Sequence, residues 1–140
     1  MAKEIEPQEL VFVDTSGWYA LVDENDPDHK PVRGWFEENR SPLVTSEYIF
    51  DETITLIRTS LGHSEAVEFG EKVKKSNLTQ IISVNQEDRK DGWKIFKKYD
   101  DQVFSFTDCV SFAQIERLGI KIALALDEDF RTMGYRVVPG

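Results

Sequence analysis

Cysteine occurs once in this chain, at Cys109, and histidine twice, at His29 and His63. One cysteine excludes an internal disulfide and any zinc site built on thiolates, and it fits a reducing cytoplasm. Both histidines lie in polar stretches with no partner at ligand spacing, so both are expected at the surface. No apolar run approaches the roughly 20 residues that span a bilayer, so no membrane contact is expected. The polar, acidic opening MAKEIEPQE is not that of a signal peptide. The G-x-S-x-G, HGGG and Walker A patterns are missing, which leaves acyl-transfer hydrolysis and P-loop chemistry without support. Cations are scarce as well, with 17 Lys and Arg against 26 Asp and Glu, for a net charge of −9. That balance argues against holding nucleic acid by an overall positive field. It leaves open a protein whose carboxylates gather around cations that then face phosphates.

What is present reads as one α/β domain over residues 1–140, with 1–9 as a flexible N-terminal extension. Leu10–Val13 is a buried strand that stops at Asp14 and turns at once into a helix through Trp18, Tyr19, Leu21 and Val22. A helix from Pro27 or Pro31 to Asn39 follows, then a short strand over Leu43–Thr45. Ser46 caps a helix over Glu47–Ser60, with Ile49, Phe50, Thr53, Leu56 and Ile57 at helical spacing. The next helix covers Ser64–Ser76, with Ala66, Val67, Phe69 and Val73 inward. Leu78–Val84 is a strand, and Asn85 caps a helix fading near Tyr99. Val103–Phe106 reads as a short extended piece, and Thr107–Leu118 as a helix stopped by Gly119. Ile120–Leu126 is the second convincing buried strand, a helical turn begins at Asp127, and Tyr135–Val138 adds an edge strand. Trp18, Trp35 and Trp93 fit inner helix faces, and Cys109 packs as a small hydrophobe. Strands alternating with helices predict a mostly parallel central sheet between two helical layers, a three-layer α/β/α architecture.

Four acids stand out by their settings. Asp14 and Asp127 end buried strands, Asp108 opens a helix, and Glu52 edges an apolar stripe. Each has a plain structural explanation. Asp14 and Asp127 suit helix N-caps, Ser105-Phe106-Thr107-Asp108 matches a capping box, and Glu52 has Arg58 nearby. Together they say more, because strand ends and the helix starts that follow them share one edge of such a sheet. Carboxylates meeting there repel unless some are protonated or a cation lies between them. Donors that are all oxygen suit Mg²⁺ or Mn²⁺, and so phosphoryl transfer or phosphodiester hydrolysis.

The stretches VDTSGWYAL, DETITLIR, FTDCVSF and LALDEDF, in that order and spacing, make the chain resemble the PIN domains, in particular the VapC-type ribonuclease toxins. The resemblance runs from about Val11 to Pro139. It implies that Asp14, Glu52, Asp108 and Asp127 are the catalytic, metal-holding quartet, served by Mg²⁺ or Mn²⁺. Thr15, Ser16 and Thr107 correspond to supporting hydroxyls, and Asp129 is an additional acid treated as outer support. The implied activity is hydrolysis of single-stranded RNA by a cytoplasmic toxin, with an antitoxin partner and a homodimeric state. By position alone, Arg58, Lys72, Lys75 and Arg89 are candidates for tracking the RNA backbone.

Two rival readings remain at this point. A PIN nuclease that processes ribosomal RNA has the same sequence features. A flavodoxin-like receiver domain, non-catalytic and metal-binding, also groups acids at strand ends. It needs an Asp after the middle strand, where this chain has Asn85.

Overall fold

The computed structural model describes residues 9–140, so the expected extension over 1–9 lies, except for Glu9, outside the described residues. Five strands form one sheet: β1 (Val11–Val13), β2 (Leu43–Ser46), β3 (Thr79–Ile82), β4 (Ile122–Leu124) and β5 (Arg136–Val138). Their order is β3-β2-β1-β4-β5 and every pairing is parallel. The helices are α1 (Thr15–Val22), α2 (His29–Glu38), α3 (Glu47–Ser60), α4 (His63–Lys75), α5 (Gln86–Lys98), α6 (Phe106–Leu118) and α7 (Asp129–Thr132). The first four pack on one another, and α5 packs on α6, giving the expected α/β/α layers.

The chain runs outward from β1 through β2 to β3, then crosses back to β4 on the other side of β1. The order therefore reverses between β1 and β4, and the crevice beyond their carboxyl ends is where such sheets bind ligands. Asp14 and Asp127 follow those two strands. Val11, Phe12 and Val13 are wholly buried, as are Ala123 and Leu124 beside them. Burying each large side chain of that set favours folding by about 2 kcal/mol. Phe112 of α6 bridges to Phe130 of α7 at 5.0 Å between ring centres, tying the outer helices to the sheet.

Several expectations need correction. The strand expected over Leu78–Val84 is trimmed to β3, and that over Ile120–Leu126 to β4. Val103–Phe106 forms no strand, since Phe106 already belongs to α6 and Val103 is 98% exposed in the preceding loop. His29 is buried rather than superficial, its Nδ1 lying 2.7 Å from the Ala20 carbonyl oxygen. Leu56, Val67 and Trp93 are exposed. The buried stripe of α3 is Ile49, Thr53 and Ile57, and Leu56 precedes it by 100° of helix. On α5 the inner positions are Asp88 and Gly92, so Trp93 is turned outward by the same angle. Trp18 and Cys109 are core residues, as expected.

Candidate active site

The edge beyond β1 and β4 is assembled by short polar links. Asp14 caps α1 in an extended conformation, its Oδ2 accepting from the Ser16 hydroxyl at 2.9 Å and more weakly from the Ser16 amide. The same Ser16 oxygen accepts from the Leu126 amide at 3.0 Å. One hydroxyl thus joins the turn after β1 to the turn after β4 and sets Asp14 beside Asp127. Gly17 makes this approach possible, because a Cβ there would stand 2.1 Å from Leu124 Cδ2 and 2.9 Å from the Leu124 carbonyl oxygen. Thr15 reaches the other way, donating to Glu52 Oε1 at 2.5 Å and so holding α3 to the start of α1.

Asp108 arrives from the opposite layer. Ser105 and Asp108 form the expected capping box, with Asp108 Oδ2 accepting from the Ser105 amide at 2.9 Å. Asp127 Oδ1 accepts from the Asp129 amide at 3.2 Å, and the Asp129 carboxyl lies near that of Asp108. Thr107 and Glu52 line an open cleft of about 570 Å³ with Tyr48 and Leu56, between α3 and the start of α6.

Electrostatics show that these acids share one space. Burial, then the charges of Asp127 and Asp108, push Asp14 up to about 7 against the Ser16 hydrogen bonds. Asp127 is raised by burial and by the charges of Asp108, Glu128 and Glu52, against the hydrogen bond from the Asp129 amide. Burial and the neighbouring Asp127 and Asp108 lift Asp129 to about 6. Uncompensated carboxylates with oxygen-only neighbours fit a hard divalent cation such as Mg²⁺ or Mn²⁺. As the side chains stand, no three acids among the described residues surround one point. Asp14 and Glu52 instead accept from the Ser16 and Thr15 hydroxyls, and Asp108 and Asp127 from the Ser105 and Asp129 amides.

The four candidate backbone-tracking cations do not converge on this edge. Arg58 lines a different groove with His63 and Lys74 between α3 and α4, and Lys72 pairs with Glu68 at 2.9 Å. Lys75 is exposed at the end of α4, and Arg89 donates to the Val84 carbonyl at 2.7 Å. What the sequence reading missed is a cluster of three rings, the exposed Trp93 and Phe96 and the half-buried Phe106, which immediately precedes Thr107. The signal available was Phe106 itself, two residues from Asp108.

The model of the PIN domain family matches residues 11–134. The chain belongs to the PIN domain family. It is 30% identical over 126 residues to the 23S rRNA-specific endonuclease VapC20 of Mycobacterium tuberculosis, covering 90% of this chain and 95% of that protein. It is 23% identical to Ribonuclease VapC26 of the same organism, over 84% and 86% of the two chains. The crystal structure of VapC20, described as a Sarcin-Ricin loop cleaving toxin, superposes with a TM-score of 0.84 over 89% of this chain and 95% of that one. FitAcB from Neisseria gonorrhoeae shares the fold at a TM-score of 0.70 and 13% identity, over 92% and 96%. Asn85, where the receiver reading needs an Asp, is a helix cap, and the PIN fold is common to the other two readings.

Proposed function

We propose that this PIN domain is a metal-dependent endoribonuclease, the toxin of a toxin–antitoxin pair, and that ribosomal RNA is its substrate. What supports this reading most is that Asp14 and Asp127 follow the two strands between which the sheet order reverses, with Asp108 and Glu52 near enough to raise the Asp127 carboxyl. Similarity to VapC20, named for its action on 23S rRNA, supplies the substrate class to try first. Asp14, Asp127, Asp108 and Glu52 would hold the cation, with Asp129 adding charge through Asp108. Bound there, Mg²⁺ or Mn²⁺ supplies Lewis acidity, activating water and offsetting charge that develops on the phosphate.

The chain's own groups do the positioning. Ser16 fixes the separation of the β1 and β4 edges, and Thr15 holds Glu52 against them. Oriented ligands of this kind are worth roughly 10–100-fold in affinity or activity through their hydrogen-bonded supports. The open cleft lined by Glu52 and Thr107 would take the RNA strand. An antitoxin chain is the expected protein partner, and a homodimer the expected assembly.

The test is cleavage of purified 23S rRNA with Mg²⁺ or Mn²⁺, with EDTA, and by Asp14→Asn and Asp108→Asn proteins checked for folding. Cutting that needs the cation and disappears in both variants is the expected result. Equal cutting by wild type and variants would refute the site. A co-transcribed antitoxin that blocks cutting separates the toxin from a ribosomal RNA-processing enzyme.

A further inference from the structure

Trp93 and Phe96 of α5 stack at 5.7 Å between ring centres, and Phe106 meets both nearly edge-on at 6.2 and 6.3 Å. Trp93 is 52% exposed and Phe96 41%. Rings of this size ordinarily bury most of their area, so a wet cluster of them marks a contact surface. Its position is set by close packing. Gly92 faces Val110, where a Cβ would stand 2.9 Å from Val110 Cγ2 and 3.1 Å from its backbone nitrogen. That approach lays α5 on α6 one residue from Trp93 and two residues from Asp108. Phe106 lies in the same first turn of α6 as Asp108. The cluster thus lies within one helical turn of Asp108.

Its charge is the reverse of the chain's. On a helix the neighbours of Trp93 are three and four residues away: Arg89, Lys90, Phe96 and Lys97. Lys98 and Lys94, the latter 4.0 Å from Asp91, stand on the same helix with Glu87, and its one buried acid, Asp88, is held by Arg117, so its cations outnumber its acids. Rings interleaved with cations suit single-stranded nucleic acid, whose bases stack on the rings while its phosphates meet the cations.

We propose that Trp93, Phe96 and Phe106 form a stacking platform for an unpaired base of the RNA, next to the phosphate held at the carboxylates. Lys90 and Lys97 meet the strand's backbone on either side. This rests on the ribonuclease reading above. A second copy of the chain is the less favoured occupant. A two-fold contact centred on Trp93 sets the lysines of one copy against those of the other.

The experiment measures binding of a fluorescein-labelled, mixed-sequence single-stranded RNA of about 12 nucleotides, by anisotropy in EDTA at several salt concentrations. Wild type, Trp93→Ala, Trp93→Phe and Lys97→Ala are compared, each also weighed by light scattering and assayed for cutting of 23S rRNA. Trp93→Ala is expected to weaken binding about 5- to 100-fold at every salt without changing the salt slope. Trp93→Phe restores most of that loss, because a ring is what the base needs. Lys97→Ala reduces the slope by about 0.7, one phosphate contact on a single strand. If wild type cuts and Trp93→Ala binds and cuts equally well, the platform is refuted while the nuclease reading stands. If Trp93→Ala instead halves the particle mass and leaves binding per chain unchanged, the face belongs to self-association and the proposal falls. If wild type neither binds nor cuts RNA, both readings fall.

Discussion

Asp14 and Asp88 are buried to nearly the same degree, at 4% and 1% exposure, and both lie at the start of a helix that follows a strand. They end in opposite electrostatic states. Asp88 accepts from Arg117 Nε and Nη2 at 2.7 and 3.0 Å, from Gln114 Nε2 at 3.2 Å and from the Asn85 amide at 3.2 Å. Burial alone pushes its carboxyl up, and those donors outweigh it, leaving Asp88 below the ordinary range. Asp14 has Ser16 as its donor and faces Asp127 and Asp108. Burial does not mark a functional acid; its company does. Asp88 is given its own cation, whereas Asp14 is left facing other acids.

The comparison breaks most visibly in activity. Asp14→Asn should lower RNA cleavage by more than about 100-fold, the scale of removing a preorganised charge from such a site. Asp88→Asn should leave per-molecule cleavage intact where the protein is folded. Stability should invert the ranking. Asp88→Asn is expected to cost about 3 kcal/mol in urea unfolding, because it breaks a buried ion pair and loosens Arg117. Asp14→Asn should stabilise the cation-free protein.

That gain has a sign in pH. Asp14 is raised in the folded state, so its ionised form penalises folding increasingly from about pH 4 up to about 7. The advantage of Asp14→Asn should therefore be full near pH 8 and vanish near pH 4. Asp88 runs the other way. Its folded value is lowered, so its contribution is present above about pH 4 and is lost as the pH falls through that lowered value. Melting curves should show the Asp14→Asn advantage growing between about pH 4 and 7 while the Asp88→Asn deficit stays constant there and shrinks only below about pH 4. Parallel slopes would contradict the account.

Smaller effects sharpen the same contrast. Ser16→Ala removes a donor from Asp14 and the acceptor of the Leu126 amide, and should cost about 1 kcal/mol. It should also cost roughly tenfold in cleavage. Smallest of all, Lys72→Ala on α4 should change stability by less than about 0.5 kcal/mol, since its pair with Glu68 is exposed. A large loss of RNA binding in Lys72→Ala would restore the role that position in the sequence suggested.

The alternation of apolar runs made the sheet and its layers legible, because strands buried on both faces carry continuous apolar sequence. Asp14 and Asp127 were legible for the same reason, as acids that follow buried strands, whereas Asp108 and Glu52 lie within helices. The capping box at Ser105 and Asp108 was read correctly, yet so similar a box at Asn85 and Asp88 serves a structural ion pair. Local motif alone could not separate the two, since Arg117 lies 29 residues from Asp88. Trp93 was misplaced because apolar spacing on α5 hides that Gly92, with no side chain, is the residue against α6. His29 was misplaced because its acceptor is a backbone carbonyl on α1, which no side-chain pattern reveals.

The most direct test is calorimetric titration of Mn²⁺ into wild type, Asp14→Asn and Asp88→Asn proteins at about pH 8, where the raised carboxyls are ionised. Binding that persists in Asp88→Asn and disappears in Asp14→Asn is the predicted result. Equal binding by all three proteins would contradict the claim that the Asp14 cluster is the cation-holding centre.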